Sequence, residues 1–305
     1  MEKFLNEVIT RNRKYTKKGK VASYIPVLAH VNPTNLGVGI YTLDNQYFSA
    51  GDTNEKFSIQ SVGKVFSLIC ALRDSGFKKF LTKVDVEPSG DKYNSLIKLE
   101  TMDLHRPFNP FINAGAIATI GLISGNSIDE RFDKVLSLMK EMTNNPNLDY
   151  NKEIFESEMN SGDTNRAIAY YLKGANIIEG NVDHILETYI KVCSIEATVE
   201  DMAKAAAVIA NNGIKPWDNT PIIKSKTIKT ARALMTTSGL YDGSGSFSVK
   251  VGIPAKSGVG GCIFGSVPNR LGIVTYGPAL NEKGNSYAGL KVMEAISKEY
   301  DLSIF

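Results

Sequence analysis

Strand-forming sequence is confined to the two ends of this 305-residue chain, and that placement constrains the fold more than any other feature. Residues 36–43 (LGVGIYTL) and 46–50 are β-rich, and Asp44-Asn45 between them is a two-residue turn signal, so a hairpin is expected. Strand character returns only at 249–265 and 271–277. Helical patterns fill the interval, at 115–124, 129–142, 164–173, 181–192, 199–211 and 224–238, with Asp163 and Thr198 as expected N-caps. Helices over about 1–14 and 286–300 close the two ends. The pattern predicts an α+β fold, with one antiparallel sheet built from both chain ends and flanked by helices. The central helices form a second lobe. No Ser/Gly-rich linker or internal repeat divides the chain. We therefore expect one domain, with lobes 1–60 plus 240–305 and 61–239, and a small-molecule cleft between them.

Composition excludes several function classes. At 43% hydrophobic and 22% charged, the chain supports an ordinary folded core. A net charge of +3 predicts no large anionic partner. The basic cluster Arg11, Arg13, Lys14, Lys17, Lys18 and Lys20 follows a helical pattern, where cations complement the helix dipole, and no nucleic-acid surface is expected. The N-terminus lacks the apolar core of a signal peptide, and no apolar run is long enough to span a bilayer. Cys70, Cys193 and Cys262 are odd in number and far apart, which predicts reduced thiols in a cytoplasmic protein. His30, His105 and His184 are isolated and HExxH is absent, so no metal is expected. The Gly37–Gly39 and Gly63-Lys64 segments lack the remaining residues of nucleotide-binding loops.

Chemistry enters with Ser61-Val62-Gly63-Lys64. A serine three residues before a lysine shares its helical face, and the lysine can accept the proton that makes the serine a nucleophile. The spacing occurs five times, at Ser61/Lys64, Ser75/Lys78, Ser89/Lys92, Ser95/Lys98 and Ser137/Lys140. Only the first copy sits in an apolar run, SVGKVFSLICA, whose single charge is Lys64. Burial there disfavours the ammonium and leaves an amine able to act as a base. Ser61 is expected to start the helix, where free N–H groups can hold an oxyanion.

Five other stretches carry polar groups able to complete a site, and each also has a plainer reading. Asn113, at the entry to a helix, can be a cap. Glu158, read as lying in a loop before Gly162-Asp163-Thr164-Asn165, can be a solvated carboxylate. Tyr189 falls late in an amphipathic helix, where core packing is the default. Tyr241, in the glycine-rich stretch 238–245, can anchor its loop or exchange a proton. Gly258, Gly260 and Gly261 around Val259 allow a ligand close to the backbone, or mark a β-bulge.

Six ordered blocks together resemble the glutaminase family, the serine-dependent group related to class A β-lactamases and penicillin-binding proteins. They are residues 21–26 (VASYIP), 57–64 (FSIQSVGK), 110–116 (PFINAGA), 162–165 (GDTN), 238–241 (SGLY) and 254–261 (PAKSGVGG). The resemblance covers about residues 20–300. It implies a β-lactamase/transpeptidase-like fold and hydrolysis of L-glutamine to L-glutamate and ammonia. It implies Ser61 as nucleophile, Lys64 and Tyr241 as proton carriers, and an oxyanion hole from the N–H groups of Ser61 and Val259. The same carry-over makes Tyr24, Asn113, Glu158, Asn165 and Tyr189 substrate contacts, with Glu158 suited to the α-ammonium. Lys256 is either an electrostatic support or part of a structural ion pair.

The superfamily's SDN block is absent, and Tyr241 stands in its place. Gly63 stands where the family usually has serine, and Cys262 where it has glycine. Neither removes a group from the implied chemistry, although Gly63 is expected to loosen the first turn of the helix. No cofactor is implied, and a homo-oligomer, dimer or tetramer, is. The alternatives on the same fold are a β-lactamase- or transpeptidase-like acyl hydrolase and a non-catalytic amino-acid-binding module.

Overall fold

The computed structural model describes residues 1–89 and 106–305, so Lys92, Ser95, Lys98 and His105 lie outside the described residues. Both ends of the chain enter one five-stranded antiparallel sheet of order β2-β1-β7-β6-β5. Its strands are β1 (Gly37–Thr42), β2 (Tyr47–Gly51), β5 (Ala255–Ser257), β6 (Cys262–Val267) and β7 (Leu271–Tyr276). The expected hairpin forms, pairing Tyr41 with Tyr47, and Asn45 takes the left-handed conformation its turn requires (φ 65°). β1 then pairs with β7, from Gly37↔Tyr276 to Thr42↔Leu271, which joins the two ends of the chain. Two short strands, β3 (Phe57–Ser58) and β4 (Glu196–Ala197), form a separate pair that the sequence pattern did not predict.

Alternation along the strands divides the interior into two cores. Val38, Ile40, Ile263 and Ile273 face a layer of terminal helices, where they meet Leu5, Val8, Val292 and Ile296. These helices are α1 (Glu2–Asn12), α10 (Ser244–Lys250) and α11 (Tyr287–Tyr300). Tyr41, Phe264, Val274 and Tyr276 face the opposite way, into the helical block. That block contains α2 (Gly63–Lys83), α3 (Asn113–Gly121), α4 (Ile128–Thr143), α5 (Lys152–Ser161), α6 (Asp163–Gly174), α7 (Val182–Cys193), α8 (Val199–Ala210) and α9 (Ser225–Ser238). α8 lies on the sheet, and its alanines let it pack against β7 and β1.

Several local expectations need correction. The run 249–265 is not continuous strand: it opens with the last turn of α10, and β5 and β6 are separated by the glycine loop 258–261. Glu158 lies in a helix rather than a loop. In α5 only Ile154 and Glu158 are fully buried, Phe155 and Met159 are half-covered by the core, and the start of the helix is fixed by Asn151 accepting from the Ile154 N–H. Asp163 is the first residue of α6 and not its cap, pairing instead with Arg166 at 3.2 Å. Thr198 does cap α8, in a reciprocal box with Asp201. Among the described residues no helix is long and apolar enough to cross a membrane.

Candidate active site

Ser61 lies in a single 3-10 turn, Gln60–Val62, directly before α2, rather than at the first position of the helix as expected. The turn is entered through Gln60 in the left-handed region (φ 48°), an uncommon conformation for a residue with a side chain. Such a bend sets Ser61 into the cleft wall while Val62, Val65 and Phe66 remain in the core. The glycine loop between β5 and β6 packs against this bend. A Cβ on Gly258 would lie 2.5 Å from the Ile59 carbonyl oxygen, and one on Gly260 would lie 2.2 Å from that of Ser58. The glycines therefore admit the protein's own backbone, which brings Val259 into the same cleft wall as Ser61.

The cleft has a volume of about 300 Å³ and is lined by Tyr24, Ser61, Asn113, Glu158, Asn165, Tyr189 and Val259, together with Gln60. These residues come from a loop, four helices, the 3-10 turn and the glycine loop. Tyr24 stands at the rim, 56% exposed. Tyr241 is not part of this wall. It also adopts a left-handed conformation (φ 55°), its hydroxyl donates to the Ser257 carbonyl at 3.3 Å, and its phenol is within electrostatic reach of Tyr189.

Lys64 lies beneath the cleft, 2% exposed. Its Nζ donates to Asn113 Oδ1 at 2.7 Å and to the Phe111 carbonyl at 3.1 Å, and no hydrogen bond joins it to Ser61 Oγ. Burial lowers its pKa to about 8, although the Glu158 charge opposes the shift. Asn113 is the hub of the floor. It is not an N-cap, a position Ile112 occupies. Its Oδ1 also accepts from the Tyr189 hydroxyl at 3.3 Å, and its Nδ2 donates to Asn165 Oδ1 at 3.0 Å. Tyr189 is buried and held well above its usual pKa, so its hydroxyl stays a donor.

Glu158 is 8% exposed, and burial raises its pKa to about 7 against the opposing pull of Gln60 and Lys64. Gln60 Nε2 donates to Glu158 Oε1 at 2.6 Å. The sequence reading passed over Gln60. The available signal was an amide directly before Ser61, at the end of the stretch Phe57-Ser58-Ile59-Gln60. Lys256 is fully buried and forms no ion pair among the described residues, contrary to one of its two expected roles. Its Nζ donates to the Gly239 and Ser257 carbonyls at 3.0 and 2.6 Å and lies 4.3 Å from the centre of the Tyr241 ring. Burial and then Lys64 push its pKa well down. Asn285, also unforeseen, accepts from the Ser257 hydroxyl at 2.5 Å and donates to the Leu240 carbonyl at 3.3 Å, tying β5 to the Tyr241 turn. Among the described residues no group of three or more His, Cys, Asp or Glu could hold a metal.

The arrangement places a serine near a buried, easily deprotonated amine, beside a carboxylate and amides suited to a small zwitterion. Known proteins are similar to this chain in sequence and in shape. The glutaminase family model matches residues 19–305. A glutaminase of Clostridium tetani is 48% identical over 305 residues, covering 100% of both chains. Glutaminase 2 of Clostridium perfringens is 45% identical, again over 100% of both. A probable glutaminase of Bacillus subtilis complexed with 6-diazo-5-oxo-L-norleucine superposes with a TM-score of 0.92 at 36% identity, covering 100% of this chain and 97% of that one. The fold is thus the β-lactamase-like fold of the solved glutaminases. On the strength of a family model and full-length relatives that agree with the geometry of the cleft, this chain belongs to the glutaminase family.

Proposed function

We propose that the chain hydrolyses L-glutamine to L-glutamate and ammonia through an acyl-enzyme on Ser61. Ser61 Oγ attacks the side-chain amide carbon while Lys64, in its amine form, takes the hydroxyl proton. The N–H groups of Ser61 and Val259 hold the oxyanion, and loss of one such donor typically costs about 10²–10³ in turnover. Tyr241 gives a proton to the departing ammonia and then takes one from the water that cleaves the ester. Glu158 holds the α-ammonium, while Tyr24, Asn165 and Tyr189 hold the α-carboxylate side and Asn113 bridges to the amide. Lys64 shares its proton load with its neighbours, so the site titrates as a coupled set.

The observation that carries this reading is the buried Lys64, with a pKa of about 8, one helical turn beyond a serine in the cleft wall. A covalent complex of the Bacillus subtilis glutaminase with 5-oxo-L-norleucine, formed by its reaction with 6-diazo-5-oxo-L-norleucine, supports covalent catalysis by a protein group in this family. The same reading makes the chain one domain with its cleft between lobes 1–60 plus 240–305 and 61–239. It places the chain in the cytoplasm, since all three cysteines are buried and unpaired. It also makes the active form a dimer or tetramer, which light scattering would measure. The test of the chemistry is ammonia release from glutamine and asparagine by the wild type and Ser61→Ala. Release from glutamine is expected to fall by at least about 10³-fold in the variant. No release by the wild type overturns the enzyme reading, and equal release by the variant overturns the nucleophile.

A further inference from the structure

A second hollow, of about 660 Å³, adjoins the cleft that contains Ser61. Tyr24 and Val259 belong to the walls of both. The hollow reaches the Tyr241 side of the site. A Cβ on Gly284, one of its lining residues, would lie 3.6 Å from Tyr241 Cε2 and 3.8 Å from Val259 Cγ1. Glu158 and Asn165, which hold the amino-acid end, do not line it. In the proposed reaction Tyr241 meets the departing nitrogen. A substituent on that nitrogen therefore points into this hollow.

The charge of the wall favours one class of substituent. Lys18, Lys20 and Lys283 stand in it against a single carboxylate, Glu282. Lys283 is shared with Asp242 at 3.3 Å, whereas Lys18 and Lys20 form no ion pair among the described residues. Glutamine releases only ammonia and has no group to place there. An amine that carries its own carboxylate does, and cations lining an adjoining concave surface attract it.

We propose that the chain also hydrolyses γ-glutamyl amides whose amine bears a carboxylate, that is, γ-glutamyl amino acids, with the leaving amino acid bound between Lys18 and Lys20. This rests on the acyl-enzyme reading above. The Ser61 Oγ–Cδ bond forms and the Cδ–N bond breaks. The serine proton, carried through Lys64 and Tyr241, ends on the departing nitrogen. Water then cleaves the ester, so one amide and one water give glutamate and a free amino acid.

The test compares γ-L-glutamylglycine with γ-L-glutamyl-n-propylamide, which is of similar size but uncharged on the amine side. Both are assayed in the wild type and in the Lys18→Glu/Lys20→Glu variant, beside glutamine. The wild type is expected to favour the glycine compound in kcat/KM by about tenfold at low salt, and added salt should erode that preference. The variant is expected to lose the preference while its glutamine kcat/KM stays within about twofold, which also reports that it is folded. No glycine release by an enzyme that hydrolyses glutamine overturns the inference. So does equal turnover of the two amides with no effect of charge reversal. If glutamine is not hydrolysed either, the acyl-enzyme reading falls with it.

Discussion

Lys64 and Glu158 are buried groups that burial displaces toward their neutral forms, to about 8 and about 7. The proposed chemistry needs Lys64 neutral and Glu158 ionised, so both requirements are met more fully as pH rises. We expect kcat/KM for glutamine to climb through that interval, with apparent values belonging to the coupled pair. In Glu158→Gln the lower inflection should disappear, and KM should rise by roughly 10–100-fold, the worth of a hydrogen bond to a charged group. Stability should move the other way. A carboxyl raised from 4.5 to about 7 on folding favours the native state below its unfolded value, and that contribution is lost as pH rises through about 7. The amide variant lacks this loss. Its Tm relative to wild type should therefore increase between about pH 5 and pH 8, as read by thermal unfolding. The Ser61/Lys64 pair was legible because its neighbours in sequence are apolar. The burial of Glu158 was not, since it depends on Gln60, a contact distant in the chain.

At the scale of elements, the helix that follows Ser61 is fitted to its neighbour through Gly63. A Cβ there would approach Val192 Cγ1 to 2.7 Å. Gly63 is the first residue of α2 and lies under α7, so the residue that seemed a source of looseness is a packing contact. Gly63→Ser, which installs the family's usual residue, is expected to cost about 1–3 kcal/mol by overpacking. Val192→Ala in the same chain should recover part of that loss, and a double-mutant cycle on Tm or urea midpoints measures the coupling. Additive effects would show the two positions to be independent. The β1–β2 hairpin was readable because its turn residues are local. α10 was not: it is a seven-residue helix, SGSFSVK, with only Phe247 as an apolar anchor in the core, and it is held by Ser244, which accepts from the Leu240 N–H and donates to the Tyr241 carbonyl.

For the whole molecule, the meeting of the two chain ends in one sheet was visible in the sequence as two separated β-rich regions. The site was visible only as residue types, because what places Val259 beside Ser61 is the approach of two backbones. That closure by β1 and β7 also orders events in time. Pairings of such large sequence separation form late and slowly. A chain emerging from synthesis presents Ser61, Lys64, Glu158 and Asn165 well before Val259 and the strand that anchors its loop exist. Recovery of glutamine turnover on refolding should therefore lag the return of helical signal in stopped-flow measurements. Simultaneous recovery would contradict this order. If the proposed chemistry holds, an unfinished chain carries Ser61 with only one of its two oxyanion donors, and is expected to stay inert until its last strands are in place.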